Sequence, residues 1–375
     1  MPRLIRLTLL VAALLVPASL LTTAAQAADA PRRKVIIDQD AFGPAGSNMQ
    51  AILMLLQARE AEVLGIVCTS GDGWRDEEVA NTLRLLEIAG RTEIPVYGGA
   101  VYPLVNSQAR TQVWERLHGA LYYKGAWTET WPDQGAVRRT PYHADPFLVP
   151  PSPIGAPRIK PQAEHGAAFM VRKVHEFPGQ VTILTAGPMT TVALAARLDP
   201  SFAATAEQLV FMGASFNPQP ADNDFAKEFV HSPRREFNMR WDAEAASLVL
   251  REPWKQITAV PVDPTTRTFF KREFIDHIAA TGKAPFTRYL ADYGQSFPMW
   301  DELAVAVWLR PSLVTRSQRM LVDIDTSFTA GYGGTLSWPV GGGPGLGERD
   351  AIVVQDVDVP AFEQLTLDLL TRARP

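Results

Sequence analysis

Short apolar runs alternate with longer helical patterns along most of the chain. The runs are rich in β-branched residues and read KVIID, VLGIVCT, IPVYGG, VTILTA, QLVFMG and ITAVPV. Segments of helical periodicity, such as MQAILMLLQ, RDEEVANTLRLLEIAG and MTTVALAARL, lie between them. Because strands that are apolar along their whole length are typical of parallel sheets, we expect an α/β fold. Its mainly parallel open sheet is covered by helices on both faces.

The remainder of the chain continues this pattern as a single domain over 28–375. Mostly helical sequence runs to Leu309, and the strands MLVDID and AIVVQDV and the helix AFEQLTLDLL complete the alternation. Two loops, near 126–162 and 213–235, interrupt it. Loops of this length are typical of lids, binding loops or interface segments, and they are also consistent with decoration of the fold.

The N-terminus has a different composition. Arg3 and Arg6 precede the apolar stretch LTLLVAALLV, and the small residues AQA end at Ala27. This pattern predicts a secretory signal peptide over 1–27, which is too short for a membrane anchor. We therefore expect a periplasmic or secreted protein with no membrane attachment once the peptide is removed.

Charge and cysteine content exclude several classes of function. A formal net charge of −4 over 375 residues provides no basic surface for nucleic acid. The single cysteine, Cys68, excludes an intramolecular disulfide. Because Cys68 lies in the apolar run VLGIVC, we expect a buried, inert thiol.

Polar residues gather at the predicted carboxyl ends of the strands, where open parallel sheets bind ligands. They are Asp38, Asp40, Asp72, Glu236 and Asn238, and Asp301 opens a later helix on the same predicted face. Each alone has a structural explanation, such as a turn cap or a helix N-terminus. Together they place at least four acids on one face, which is costly without a cation. A ligand set of oxygen atoms alone favours Ca²⁺ or Mg²⁺.

The motifs at these positions resemble the inosine–uridine-preferring nucleoside hydrolases. That family begins with a strand, an aspartate cluster of the form DxDxGxDD and a buried helix, which IIDQDAFGPAGSNMQAILMLL matches here. The likeness continues through VLGIVCTSGDGW, LHG, TAGPMTTVALAARLDP, EFNMRWDAEAA, WDELAVAVWL and VQDVDVPAF. It covers essentially the whole chain after the signal peptide and implies a nucleoside-hydrolase-like fold.

The resemblance implies a calcium site and a reaction. The family hydrolyses N-ribosides to base and ribose with a tightly held Ca²⁺, and Mg²⁺ is a less favoured alternative here. Asp40 would bind the ion and take a proton from the attacking water, with Asp38 beside it. The other ligands would be Asn48, Asp301 and the main-chain carbonyl of Ala186.

The resemblance also implies the substrate contacts. Glu236 and Asn238 would hold the ribose hydroxyls, and Ser47 and Asp72 would line the same pocket. His118 would lie near the base. The partner is then a small nucleoside, and family members are commonly dimers or tetramers, so a homo-oligomer is expected.

Three departures from the family pattern raise the question of altered chemistry. Ser47-Asn48 replaces a pair of aspartates at the helix start, so the site loses charge. Asp72 stands where the family usually has asparagine and partly restores that charge. Trp300 replaces a histidine that protonates a purine leaving group; a tryptophan stacks on a base but donates no proton to it. His118 and His231 are the alternative acids, although His231 is also expected to be an exposed loop residue.

Two alternatives to an exported N-ribohydrolase follow. A protein that binds nucleoside or ribose on the same fold and hydrolyses it poorly is the first. A phosphatase with an aspartyl nucleophile is the second. The phosphatase is disfavoured because DQDAFG lacks a nearby hydroxyl residue and no phosphate-binding lysine follows a later strand. Base preference is not encoded in these motifs.

Overall fold

Nine strands form one sheet at the centre of the protein. The structure, a computed structural model, describes residues 31–41, 43–129, 140–217 and 235–373. The strands are β1 (Arg33–Gln39), β2 (Ala61–Cys68), β3 (Val96–Gly98), β4 (Val181–Thr185), β5 (Gln208–Met212), β6 (Ile257–Val260), β7 (Val314–Ile324), β8 (Thr335–Pro339) and β9 (Arg349–Val357). All of them lie within the compact unit Arg32–Pro375. The predicted signal peptide over 1–27 lies outside the described residues.

The sheet has the order β3-β2-β1-β4-β5-β6-β9-β7-β8. Neighbouring strands from β3 to β9 pair in parallel, and β7 pairs antiparallel with both β9 and β8. The chain first builds outward from β1 to β3 and then returns to place β4 on the other side of β1. Open α/β sheets bind ligands at the carboxyl ends of the strands beside such a reversal, here β1 and β4.

Thirteen α-helices flank the sheet in the described residues. They are α1 (Ser47–Gln57), α2 (Arg75–Ala89), α3 (Gln108–His118), α4 (Gly166–Glu176), α5 (Thr190–Leu198), α6 (Phe202–Thr205), α7 (Phe237–Trp241), α8 (Ala243–Arg251), α9 (Val262–Thr265), α10 (Arg272–Thr281), α11 (Thr287–Tyr293), α12 (Trp300–Leu309) and α13 (Val359–Thr371). None of the helices in the described ranges is long and apolar enough to cross a membrane.

Both faces of the sheet are buried, as the continuous apolar strands predict. In β1, Val35 and Ile37 pack into one core with α1 and α12, while Ile36 packs into a second core with α4 and α5. Side chains of a strand alternate between its faces, so this division puts helices on both sides of the sheet. The predicted α/β class with a mainly parallel sheet is confirmed.

Several elements differ from the predicted ones. β7 begins at Val314 rather than Met320, because its polar and largely exposed first half is held in the sheet by pairing with β9. The short edge strand β8 and the helices α3 and α7 were not predicted. β8 follows a glycine-rich turn and has only one residue, Thr335, buried by the fold, so it carries little apolar pattern.

Cys68 is buried, as its apolar surroundings in the sequence predict, and the structure describes part of the two long loops. The Cys68 thiol is fully buried, and burial raises its pKa well above the ordinary value. Described residues 140–165 contain no helix or strand, apart from a single bridge between Gln162 and Tyr97. Residues 130–139 and 218–234 of these loops lie outside the described residues.

Candidate active site

Four adjacent strands bring the predicted polar residues to one edge of the sheet. Asp38 lies in β1 and Asp40 directly follows it, while Asp72 lies on the loop after β2. Ala186 follows β4, and the Met212 end of β5 contacts the start of α7. The helices α1 and α12 complete the group, since their first turns contain Asn48 and Asp301.

Asn48 connects three of these elements. Its side-chain nitrogen donates to Oε1 of Gln39 at 2.8 Å, to Oδ1 of Asp40 at 2.9 Å and to the carbonyl oxygen of Ala186 at 3.2 Å. A primary amide has only two N–H groups for these three acceptors. The three oxygen atoms around the Asn48 nitrogen therefore outnumber the N–H groups that it can donate.

Two glycines make room for the Asp40 carboxylate. A Cβ atom at Gly71 would clash with Oδ2 of Asp40, and one at Gly187 would lie 3.0 Å from its Oδ1. The Asp72 backbone N–H donates to Oδ2 of Asp40 at 3.1 Å. Asp40 is 2% exposed, so these close backbone approaches hold a buried carboxylate in a fixed orientation.

Asp38 lies deeper than Asp40. It is fully buried, and the Thr185 hydroxyl donates to its Oδ2 at 3.3 Å. Its Oδ1 has no hydrogen-bond partner among the described residues. Burial raises the pKa of Asp38 well above its usual range. Among the described residues, the Asp38 carboxylate thus has Thr185 as its hydrogen-bond partner and no hydrogen bond to Asn48.

Glu236 and Asn238 lie at the start of α7. Glu236 caps this helix, since its carboxylate accepts from the backbone N–H groups of Asn238 at 2.8 Å and Met239 at 3.1 Å. It also accepts from the N–H of Ala214 at 3.1 Å. The Asn238 side chain donates to the carbonyl of Met212 at 3.3 Å, which attaches α7 to the end of β5.

Ser47 joins the first turns of α1 and α12. Its hydroxyl donates to Oε2 of Glu302 at 2.5 Å and accepts from the backbone N–H of Asp301 at 2.9 Å. Glu302 is only 1% exposed. A buried carboxylate therefore stands directly behind the position where the resemblance leads one to expect a second aspartate.

Mutual repulsion and burial shift the acids of this site in one direction. Burial raises the pKa of Asp40 well above its usual range, and the charges of Asp72 and Asp301 raise it further. Burial, and then the charge of Glu302, raise the pKa of Asp301 well above its usual range. Burial also raises the pKa of Glu236 to about 7 and that of Glu302 to about 8. Such a group of acids holds protons at neutral pH or attracts a cation in their place.

The residues of this site could bind a hard cation only if uncharged oxygen atoms serve as ligands together with the carboxylates. Among the residues that the structure describes, no three histidine, cysteine or acidic side chains form a metal site by themselves. Asp40 and Asp301 would therefore need the Asn48 amide oxygen and the Ala186 carbonyl. The Asn48 nitrogen, rather than its oxygen, faces Asp40 here. Its ligand role requires rotation of the amide, which exchanges two atoms of similar size.

An aromatic cluster borders the site on the side of Asp72. The Tyr123 hydroxyl donates to Oδ1 of Asp72 at 2.6 Å, and the Tyr123 ring lies 4.7 Å from that of Phe237. Trp127 and Trp241 stack with centroids 3.9 Å apart in the same cluster. Trp127 and Trp241 are buried, whereas Tyr123 is only partly buried and its ring is of a kind that suits a nucleobase.

The three predicted residues for the base have different outcomes. Trp300 opens α12 beside Asp301 and is partly buried, with the Phe297 ring 6.4 Å away. His118 ends α3 as an exposed residue whose ring lies 5.1 Å from Trp114. It is not brought to the carboxylates by any described contact. His231 lies outside the described residues.

Sequence reasoning missed Glu302, Glu78 and Tyr123. Glu302 was detectable, because WDELAVAVWL is apolar on all sides after its two acids and must be buried. Glu78 is fully buried beside the site and accepts from the N–H of Gly73 at 2.9 Å. Nothing in the sequence around Tyr123 indicates its contact with Asp72.

Comparison with known proteins identifies the family. Residues 35–364 match the model of the inosine-uridine preferring nucleoside hydrolases. The chain belongs to this family. The sequence motifs predicted this family and a nucleoside hydrolase as the enzyme class, and both predictions are confirmed. Nucleoside hydrolases bind a metal ion.

Named relatives of this nucleoside hydrolase include plant and bacterial proteins. It is 32% identical to the probable uridine nucleosidase 1 of Oryza sativa subsp. japonica over 72% of this chain and 70% of that protein. It is 27% identical to the pyrimidine-specific ribonucleoside hydrolase RihA of Shewanella woodyi over 91% of this chain and 97% of the relative.

Solved structures share its fold. A plant nucleoside hydrolase superposes with a TM-score of 0.69 at 24% identity, covering 91% of this chain and 99% of its own. An inosine-guanosine nucleoside hydrolase superposes with a TM-score of 0.67 at 21% identity, covering 90% and 98% of the two chains. At these identities the likeness supports the fold alone.

Proposed function

We propose that this nucleoside hydrolase is exported and cleaves the N-glycosidic bond of ribonucleosides to free base and ribose, using a bound Ca²⁺. The observation that carries the proposal is the buried Asp40 carboxylate. Gly71 and Gly187 leave space around it, and the Asn48 amide and the Ala186 carbonyl lie beside it. This arrangement combines a proton acceptor with the oxygen donors of a hard cation.

Asp40 acts as the general base for the attacking water. Its raised pKa makes it a better proton acceptor than an ordinary aspartate once it is ionised. Asp40, Asn48, Asp301 and the Ala186 carbonyl would hold Ca²⁺, which supplies positive charge that favours ionisation of a water and orients sugar hydroxyls. Mg²⁺ fits less well, because it demands stricter octahedral geometry.

The remaining acids stabilise the sugar during bond cleavage. As the bond from the anomeric carbon to the base nitrogen breaks, its electron pair leaves with the base and positive charge develops on the ribosyl ring. Water oxygen then bonds to that carbon, and its proton passes to Asp40. Carboxylates at Glu236 and Asp301 stabilise the developing charge, and fixed hydroxyl contacts at Glu236 and Asn238 orient the ring.

Aromatic side chains form the base side of the proposed pocket. Trp300, Tyr123 and Phe237 offer stacking surfaces but no strong acid, so the leaving base receives its proton from solvent or through Tyr123. The named relatives act on uridine and other pyrimidine nucleosides, and a structural neighbour acts on inosine and guanosine. Uridine and inosine are therefore the first substrates to test.

A second candidate function is nucleoside or ribose binding with weak hydrolysis. It is favoured by the Asn48 nitrogen, which faces the Asp40 carboxylate, and by the neutral Ser47. Release of base and ribose from uridine and inosine, with Ca²⁺ or with chelator, separates the two. Chelator-sensitive turnover supports hydrolysis, whereas calorimetric binding without product at high enzyme concentration supports the binding protein.

Export and assembly are separate parts of the proposal. Expression of the full chain in a bacterial host should yield a periplasmic or secreted product whose mass begins near Ala28. Retention of the intact N-terminus in the cytoplasm would contradict export. Light scattering on the purified protein should give the mass of a dimer or tetramer, and a monomer would contradict the expected oligomer.

A further inference from the structure

The pair formed by Ser47 and Glu302 is a built feature of the site that the proposed reaction leaves unused. Both residues are almost fully buried, and they belong to different helices that are far apart in sequence. A buried carboxylate is costly unless it is hydrogen-bonded, so its presence calls for a reason. The Ser47 hydroxyl is the described side chain that donates to it.

The hydrogen bonds of Ser47 determine what it still offers a ligand. A serine hydroxyl has one proton and two lone pairs. Its proton is directed to Oε2 of Glu302, which accepts it as a carboxylate oxygen or as the carbonyl oxygen of the protonated acid, with the Asp301 carboxylate as a second acceptor nearby. One lone pair accepts the Asp301 N–H at 2.9 Å. One acceptor lone pair remains, so the group left for a ligand is an acceptor. A ligand group that meets it must be a donor.

The acids around Ser47 disfavour an anionic ligand, and under the proposed function the uncharged donor is a sugar hydroxyl. Asn48 follows Ser47 in α1 and contacts Asp40, and Asp301 precedes Glu302 in α12. An uncharged hydroxyl on the substrate donates to an acceptor at this point without placing another charge among the acids. A phosphate or carboxylate ligand would be repelled by the same groups.

We propose that Glu302 is a positioning residue that fixes the Ser47 hydroxyl as an acceptor for one ribose hydroxyl. The pair thereby performs, with two residues from two helices, the task of a single carboxylate at position 47. Glu302 selects ribosides over deoxyribosides without touching the substrate. This inference rests on the proposed N-ribohydrolase function.

The first test is selectivity between sugars in the Glu302→Gln variant. The glutamine amide can donate to Ser47 and turn the hydroxyl proton toward the ligand, so kcat/KM for uridine should fall about 10- to 100-fold. kcat/KM for the analogue that lacks the contacted hydroxyl, 2′-deoxyuridine or 3′-deoxyuridine, should change less than threefold. An equal loss on uridine and both analogues would overturn the inference.

A charge exchange provides the second test. Ser47→Asp alone places a new carboxylate against Glu302 and Asp301 and should lose at least as much activity as Glu302→Gln. The double variant Ser47→Asp/Glu302→Gln pairs the new carboxylate with the glutamine amide, and it should recover at least tenfold over Ser47→Asp. A double variant no better than Ser47→Asp would contradict the proposal.

A matched control excludes general damage to the fold. Glu207 also accepts from a hydroxyl, that of Thr182 at 2.8 Å, at the opposite edge of the sheet. Glu207→Gln should leave the preference for uridine over its deoxy analogues unchanged. Melting temperatures of all variants show whether each one folds.

Binding separates failure of this inference from failure of the proposed function. If the wild type releases no base, the proposed function fails. Calorimetry with ribose and 2-deoxyribose, or 3-deoxyribose, in Ca²⁺ then still tests the pair. The wild type should bind ribose at least tenfold more tightly than one of the deoxy sugars, and Glu302→Gln should lose that difference in affinity. Equal affinity of the wild type for all three sugars would overturn the proposed role of the Ser47–Glu302 pair.

Discussion

The side-chain nitrogen of Asn48 lies 2.9 Å from Oδ1 of Asp40 and donates to it. The same nitrogen also contacts Gln39 and the carbonyl of Ala186. A single neutral amide therefore joins the end of β1, the end of β4 and the start of α1. Here Ser47-Asn48 replaces the paired aspartates of the family motif, and we expect Asn48 to influence how the site binds a cation.

Replacing Asn48 with aspartate should make the protein more dependent on Ca²⁺. Without the ion, Asn48→Asp sets two carboxylates against each other and should lower the melting temperature in chelator. With the ion, the added charge should tighten Ca²⁺ binding by about tenfold or more, as ligand charge tunes calcium affinity. Calorimetric titration of Ca²⁺ and melting curves with and without chelator measure both effects. Weaker Ca²⁺ binding in the variant would contradict a ligand role for position 48.

Stability without a cation should fall as pH rises. Glu302 has an ordinary pKa of 4.5 that is raised in the fold to about 8, and that of Glu236 is raised to about 7. Between pH 4.5 and these raised values the folded protein retains protons that the unfolded chain has released. The stability that these two protonated groups contribute is therefore fully present below pH 4.5 and is lost as the pH rises to about 8. Melting temperatures in chelator at rising pH check this trend.

Calcium should reverse part of that loss. A cation takes the place of protons among the acids, so its stabilising effect should be larger at high pH than at low pH. Melting curves with saturating Ca²⁺, run over the same pH series, test the linkage. A calcium effect that is equal at all pH values would contradict an acidic cation site.

Glu236 should both stabilise the start of α7 and contact the ribose, and the Glu236→Gln variant tests the two roles. Glu236→Gln leaves one oxygen for the three backbone N–H groups that now reach its carboxylate, and it should destabilise the protein by about 1–3 kcal/mol. It should also raise KM for ribonucleosides. Asp242 caps the next helix and is the matched control. Asp242→Asn should cost similar stability without raising KM, and an equal KM change in both variants would exclude a ribose contact at Glu236.

The Tyr123 hydroxyl should matter for activity more than for stability. Tyr123→Phe removes the hydrogen bond to Asp72, whose backbone orients Asp40, and should lower kcat/KM about tenfold. Tyr102→Phe is the same change on an exposed side chain and should have no effect. Steady-state kinetics on uridine compare the two. Equal rates for both variants and the wild type would show that Tyr123 is only part of the aromatic cluster.

The sheet and the edge that carries the candidate site were predictable for a physical reason. Strands buried on both faces need apolar side chains at every position, so β1, β2, β4, β5 and β6 are visible as continuous runs. The positions of Asp40 and Asp72 then follow, because carboxyl ends of parallel strands share one edge. Asp301 instead opens the helix α12, and its place at this edge comes from the resemblance to the family. The antiparallel strands β7 and β8 are partly exposed, so their sequences are less continuously apolar and predict a strand less clearly.

Side-chain partners were less predictable than positions. The Ser47–Glu302 and Tyr123–Asp72 hydrogen bonds join residues that are far apart in sequence, and only the packing of α12 on α1 and of the loop after α3 on the loop after β2 brings them together. His118 shows the converse. The motif LHG suggested a residue near the base, but the end of α3 leaves it exposed.

The most direct test of the account is the rate of base and ribose release from uridine and inosine by wild type and Asp40→Asn, each with Ca²⁺ and with chelator. The asparagine keeps the shape of the side chain but accepts no proton from water. We expect calcium-dependent hydrolysis by the wild type and a loss on the order of 10²–10⁴-fold in the variant, with folding retained. Undiminished hydrolysis by Asp40→Asn, or no hydrolysis by the calcium-loaded wild type, would contradict calcium-dependent hydrolysis with Asp40 as the base.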